Sequence, residues 1–183
     1  MKKTIITLVA GAALIAAATA SGTPKQYGQV QKPFEVSAGA MYFLGDLNDL
    51  ADFTFGFTAG VDYYLSQMGQ GSSSFVGVRG WFGSKSGFEV TTYGAHYGVK
   101  FGLQQGQMNR SGDLYVKLAG GFYNTSFSPG DDKWGFGGFV GLGYDVYGQA
   151  GGTPFGMELG YQLGPSNSGV NNQGVYGVVT FRF

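Results

Sequence analysis

Residues Gly174 to Phe183 read G-V-Y-G-V-V-T-F-R-F, and the chain stops on the phenyl ring. Successive side chains of a strand point to opposite faces. Val175, Val179, Phe181 and Phe183 therefore share one face, with Gly177 between them, while Tyr176, Thr180 and Arg182 share the other. A strand with one apolar face and a terminal aromatic suits a sheet whose outside meets lipid.

The same alternation recurs upstream. Segments starting near residues 34, 53, 75, 91, 113, 134, 155 and 174 carry it, a spacing of about 20 residues that fits strands of about 10 joined by short turns. Ten tilted residues reach roughly 25 Å, the height of an outer-membrane apolar band. The apolar set is Phe34, Val36, Ala38, Ala40, Tyr42 and Leu44, then Phe53 to Leu65 at odd positions, then Val76, Val78, Gly80 and Phe82. It continues with Tyr93 to Leu103 at odd positions, Leu114 to Phe122 at even ones, Trp134 to Val146 at even ones, and Phe155 to Leu163 at odd ones.

Charges test this phase. Glu35, Asp62, Arg79, Lys100, Lys117, Asp145, Glu158 and Arg182 all fall on the opposite face. Arg79 helps set the phase of its own strand, and the other seven are independent. A Lys or Arg turned to mid-bilayer would cost about 2–4 kcal/mol. A register error of one residue would expose all of them together.

Composition agrees. Of 183 residues 35 are Gly, without a G-X-Y period, and aromatics reach 16% while charged residues are 12%. Many rings and glycines with few charges suit a small, tightly curved membrane sheet. With no Cys there is no disulfide framework, thiolate metal site or lipid-modified cysteine to expect. The competing architecture, a soluble β-sandwich, also alternates, but it does not need rings gathered near strand ends. Tyr42, Phe82, Tyr93, Phe122, Trp134 and Tyr161 gather at one end, and Phe34, Tyr63, Tyr144, Phe155, Phe181 and Phe183 at the other, the pattern of two membrane girdles.

The first twenty residues read as a signal peptide. Lys2 and Lys3 form a basic region, Ile5 to Ala17 an apolar one, and Ala18-Thr19-Ala20 a cleavage site. An anchoring helix is the alternative for this stretch, which is short for that purpose. Residues 21–33 form a short polar leader and 34–183 the barrel domain. Two of the 11 basic residues lie in the signal peptide, leaving 9 against 11 acidic ones, a balance that does not attract nucleic acid.

The expected fold is thus all-β, an eight-stranded antiparallel transmembrane up-and-down β-barrel. On these features the chain resembles the small outer-membrane barrels of the OmpA and OmpX type over about residues 33–183. The resemblance implies an outer-membrane location in a Gram-negative-type cell. Val179, Phe181 and Phe183 resemble the C-terminal signal read by the barrel-assembly machinery, with Gly177 one place from the usual glycine. Outer-membrane lipid and lipopolysaccharide are the implied surroundings. The segment Tyr42-Phe-Leu-Gly-Asp-Leu-Asn48 is similar to one in small barrels associated with type IX secretion, which implies a secretion-system partner.

Eight strands enclose a space that side chains can fill. The inner face offers Phe43, Tyr64, Trp81, Tyr115, Tyr123, Phe139, Tyr147 and Tyr176 beside glycines such as Gly56, Gly60, Gly94, Gly98, Gly141, Gly143 and Gly160. Four acids and four bases, with His96, compose a lumen charge network that is structural or gating, because ions in a narrow interior must be paired or wet. The lone His96 lacks the His-x-Ser pattern of lipid-deacylating barrels, being followed by Tyr97 and Gly98. A catalytic constellation needs nucleophile, base and orienter together, so no enzyme, cofactor or metal site is expected.

Odd-to-even connections, about residues 45–52, 83–90, 126–133 and 164–173, read as short external loops. They carry Asp46, Asp49, Asp52, Glu89, Asp131 and Asp132 against Lys85 and Lys133, a solvated acidic rim. The expected role is an integral envelope protein with a structural or surface-interaction task and a filled lumen. The alternative is a narrow channel for ions or small solutes, with Gly94, Gly98 and Gly102 leaving a gap.

Overall fold

The computed structural model describes residues 33–51, 55–67, 72–85, 87–103, 112–128, 130–146 and 155–183. The signal peptide, residues 21–32 of the leader, and Phe53, Asp52 and Tyr147 lie outside the described residues. The elements are β1 (Phe34–Leu44), a short helix α1 (Asp46–Ala51), β2 (Phe55–Gln67), β3 (Ser72–Lys85), β4 (Phe88–Gly102), β5 (Gly112–Ser128), β6 (Asp132–Val146), β7 (Phe155–Leu163) and β8 (Gln173–Arg182).

The strands close into an eight-stranded barrel, β1 to β8 in chain order, with every neighbour antiparallel. The seam is β1 against β8, from Glu35↔Arg182 to Leu44↔Gln173. Beyond its last pair, Phe34 and Phe183 exchange two backbone hydrogen bonds of 3.1 and 2.7 Å. The terminal residue thus closes the ladder, and no strand edge is left along the seam.

Both chain ends of the barrel lie at one rim, called the terminal rim here; the distal rim carries the odd-to-even connections. The phase matches the expected one on all eight strands. Outward residues such as Phe57, Tyr97, Leu118, Leu142, Met157, Leu159 and Phe181 are exposed, whereas Glu35, Asp62, Lys117 and Glu158 are buried. A cylinder with an apolar outside and a polar inside inverts a soluble protein, and alternation along each strand is enough to build it.

Three expectations about connections need correction. Residues 83–90 are not a loop: β3 runs to Lys85, β4 starts at Phe88, and Gly83↔Val90, Ser84↔Glu89 and Lys85↔Phe88 are paired. Gly87 supplies the positive φ of 84° that this tight turn needs. Likewise most of residues 126–133 is ladder, with β5 reaching Ser128 and β6 starting at Asp132. The strands of the β3–β6 half are therefore 14 to 17 residues long rather than about ten. The hydroxylic residues of these segments read as turn formers, but continued pairing with a neighbouring strand overrides that preference. The 45–52 connection in turn contains α1, whose Leu47 is fully buried.

Candidate functional site

The lumen is the site the fold builds. Each strand turns alternate residues inward, and eight strands leave no room for a pore unless those residues are small. Inward glycines could have left such room. Over Gly94 and Gly98 it is taken by neighbouring side chains: a Cβ at Gly94 would meet the Tyr123 ring at 2.5 Å, and one at Gly98 would meet the Ala119 Cβ at 2.8 Å. Phe75, fully buried, also stands against Gly98. It was not among the expected inward rings, although it stands at the start of the expected third segment and in phase with the inward Arg79.

Toward the terminal rim the inward charges gather into one ionic cluster. Glu35 on β1 is its hub, accepting from Lys117 Nζ at 2.6 Å, Lys100 Nζ at 3.2 Å, Arg182 Nη2 at 3.2 Å and Tyr64 Oη at 3.0 Å. Lys117 bridges to Asp62, and Lys100 bridges to Asp145 at 2.8 Å. Asp62 also bonds His96 Nε2 at 2.7 Å, while the other ring nitrogen of His96 lies 3.2 Å from Tyr123 Oη. Residues on β1, β2, β4, β5, β6 and β8 thus converge on one cluster of shared charge. Positions as distant in sequence as Glu35 and Arg182 meet because the barrel closes.

A second cluster centres on Glu158 of β7. It accepts from Tyr176 Oη at 2.7 Å and Tyr115 Oη at 3.0 Å, and Arg79 Nη2 stands 3.7 Å away. That separation is too long for a hydrogen bond. The Arg79 guanidinium instead lies over the Phe139 ring, 3.8 Å from its centroid, a cation–π contact strengthened by burial. Lys100 Nζ sits 3.6 Å from the centroid of Tyr115, which joins the two clusters through that ring. All eight inward charges therefore have an opposite charge within 4.0 Å.

Burying ions is costly, and mutual attraction offsets the cost only when geometry is good and the remaining lone pairs are satisfied. Glu35 meets both conditions with three cations and a phenol. The network holds six strands in one register, because a shift of one residue would send these ions into the apolar phase.

Toward the distal rim the filling is neutral. Asn172 takes the Trp81 Nε1 hydrogen bond at 3.0 Å and donates to Thr92 and Thr125, whose hydroxyls are 3.0 Å apart. Asn167 donates to the backbone oxygens of Thr125 and Asp131. Segment 164–172 thus folds back into the mouth of the barrel, held on itself by Gly164 N to Asn172 O at 2.7 Å. Beside it Met41, Phe43, Leu47, Val90 and Phe127 form an apolar cap. Asp46 Oδ2 accepts Asn171 N at 2.9 Å and ties the α1 connection to this plug.

Sequence reasoning placed the charged residues on the inner face but did not single out Asn167 and Asn172. Their segment, G-P-S-N-S-G-V-N-N, carries the Asn, Ser, Pro and Gly content of an ordinary exposed turn. Only its proximity to Trp81, Thr92 and Thr125 makes two of its amides interior groups. Of the terminal triplet, Val179 and Phe181 are exposed on the outer face, and Phe183 is half-buried at the seam.

No protein-family model matches this chain, and no curated protein matches its sequence. Among solved structures it is similar to Neisserial surface protein A, with 14% identity, a TM-score of 0.52, and coverage of 82% of this chain and 97% of that one. It also aligns with Ail, the attachment invasion locus protein of Yersinia pestis, at 17% identity and a TM-score of 0.47, covering 82% and 97%. The N-terminal β-barrel domain of Pseudomonas aeruginosa OprF aligns at 13% identity and a TM-score of 0.47, covering 85% and 100%. The architecture is that of the small eight-stranded outer-membrane barrels.

Proposed function

We propose that this protein is an integral outer-membrane barrel of a Gram-negative-type cell, with a closed lumen and a non-enzymatic structural or surface-interaction role. The observation that carries this reading is the pairing of all eight inward charges beneath a hydrogen-bonded neutral plug. A conducting path needs mobile counter-ions or water along its length, whereas here fixed ions and rings fill the section. The terminal rim faces the periplasm, so α1, the two tall hairpins and the 164–172 segment belong to the cell-surface side.

Val179, Phe181 and Phe183 serve delivery, read by the assembly machinery before Phe183 takes its place in the seam. In the segment 42–48, Phe43 and Leu47 are buried in the cap, so contact with a secretion assembly would use Tyr42 and Leu44, which point outward. His96 belongs to an Asp62–His96–Tyr123 chain sealed inside the barrel, and its role is to orient and pair rather than to meet a substrate.

Planar-bilayer conductance of the refolded mature chain tests the closed lumen. Silence across the voltage range is expected. Steady unit conductance that disappears on changing Arg79 or Lys100 would replace this reading with a narrow channel.

A further inference from the structure

Asn124 breaks the rule that the outer face of β5 follows. It stands in phase with Leu118, Gly120 and Phe122, all outward, yet it is only 2% exposed. Its cross-strand neighbours are Tyr93 on β4 and Trp134 on β6. Those strands flank β5, so their backbones are about 9.5 Å apart. The two rings nevertheless approach to 5.9 Å, edge to face, and must lean toward each other across Asn124. Phe122 stacks on Trp134 at 5.7 Å, and Phe136 meets Phe122 edge-on at 5.5 Å.

Under this aromatic roof Asn124 Oδ1 has no hydrogen-bond partner among the described residues. A buried acceptor without a donor is unfavourable, and native proteins rarely keep one without a use. The roof itself stays open to the outside: Trp134 is 54% exposed and Phe136 84%. Immediately toward the distal rim, on the same outer face, Thr91, Ser126 and Asp132 form one cross-strand row. An exposed aromatic shelf, a row of hydroxyl and carboxylate groups, and a buried acceptor waiting for a donor thus occupy one patch.

We propose that this patch binds a saccharide, a hydroxyl-bearing core sugar of the lipopolysaccharide in the surrounding leaflet. A pyranose presents C–H groups to a ring face and hydroxyls at its edge. The ring packs on Trp134 and Phe136, one hydroxyl donates to Asn124 Oδ1, and Thr91, Ser126 and Asp132 take its neighbours. Entry requires the Trp134 ring to rotate off Tyr93, which makes that tryptophan a reporter of binding. The acid at Asp132 disfavours recognition through phosphate, so sugar hydroxyls and not anionic groups carry the affinity. The inference rests on the outer-membrane reading, which sets this girdle at headgroup depth.

The test uses the mature chain in phosphatidylcholine nanodiscs and follows tryptophan fluorescence, with Trp134→Phe as the blank because Trp81 is shut inside the lumen. Three probes are titrated: lipopolysaccharide, its fully deacylated oligosaccharide, and phosphatidylglycerol. A saturable change is expected with the first two and none with the third. Asn124→Leu should weaken both about tenfold, the loss of roughly one hydrogen bond, and Phe136→Ala should weaken them without touching the buried acceptor. An unchanged affinity in Asn124→Leu and Phe136→Ala, a response to phosphatidylglycerol, or a response to intact lipopolysaccharide but not to the deacylated form would each overturn the site. A chain that enters nanodiscs but fails to respond overturns the saccharide site alone, whereas a chain that does not enter them overturns the membrane reading and the site with it.

Discussion

Replacing Lys117 by Met tests the ionic cluster where it is most exacting. The Lys117 ammonium lies 2.6 Å from Glu35 and also bonds Asp62, with the lysine side chain 0% exposed and the two acids 1% and 2%. Methionine keeps the length and the apolar stem but removes the charge. Glu35 then retains Lys100, Arg182 and Tyr64. Among the described residues, Asp62 then keeps its hydrogen bond to His96 but no lysine within bonding distance. The penalty therefore falls mainly on Asp62, a buried carboxylate left without its strong cation, a situation that costs about 3–5 kcal/mol. Adding Asp62→Asn removes the stranded charge while preserving a polar partner for His96. The double variant should therefore recover about 1–3 kcal/mol relative to the sum of the single changes. Equilibrium urea unfolding in lipid vesicles, followed by the fluorescence of the lumen-facing Trp81, gives these differences at matched m-values. A Lys117→Met variant within about 1 kcal/mol of the parent, or a double variant that is simply additive, would refute the claim that Lys117 neutralises Asp62.

Leu159 stands on the outer face at the middle of β7, 68% exposed, and Leu159→Arg should destabilise the vesicle-inserted barrel by about 2–4 kcal/mol; an unchanged unfolding midpoint would place β7 outside the bilayer. Gly141→Leu brings a Cβ to 2.6 Å from Tyr176 Oη and 2.8 Å from Glu158 Cδ, so it should cost about 1–3 kcal/mol by overpacking. Gly120→Val points outward with only Gly137 O at 4.0 Å, and thermal unfolding should show it within about 0.5 kcal/mol of the parent. Deleting Phe183 removes both backbone bonds that finish the β1–β8 seam; heat-modifiable migration on gels should show less folded barrel in isolated membranes, and wild-type yield would count against its role in closure.

The legible part of the fold came from a period. Alternation places each charge on a face without knowledge of any other strand, so Glu35, Asp62, Lys117 and Glu158 could be assigned inward one at a time. The seam, too, was readable from the aromatic end of β8. What misled was local composition: Ser84, Ser126 and Ser128 look like turn residues, but neighbouring strands offer them ladder partners and the hairpins grow taller. The same composition hid Asn167 and Asn172, whose amides become interior only because the 164–172 segment turns inward. Asn124 was invisible for a different reason, since a polar residue in an outward phase reads as solvated until the rings on both flanking strands are seen to close over it.

By itself the sequence determined what each strand shows to lipid and what it shows to the lumen, because that choice depends on side-chain parity along a single strand. It could also require the inward ions to balance. Which acid meets which base was decided only by the tertiary structure. Closing eight tilted strands into a cylinder staggers them, so that Glu35 meets Lys100, Lys117 and Arg182 at once while Arg79 is left to Glu158 and a ring face. Partnership across a barrel is a matter of stagger and radius, and neither is written in any one strand.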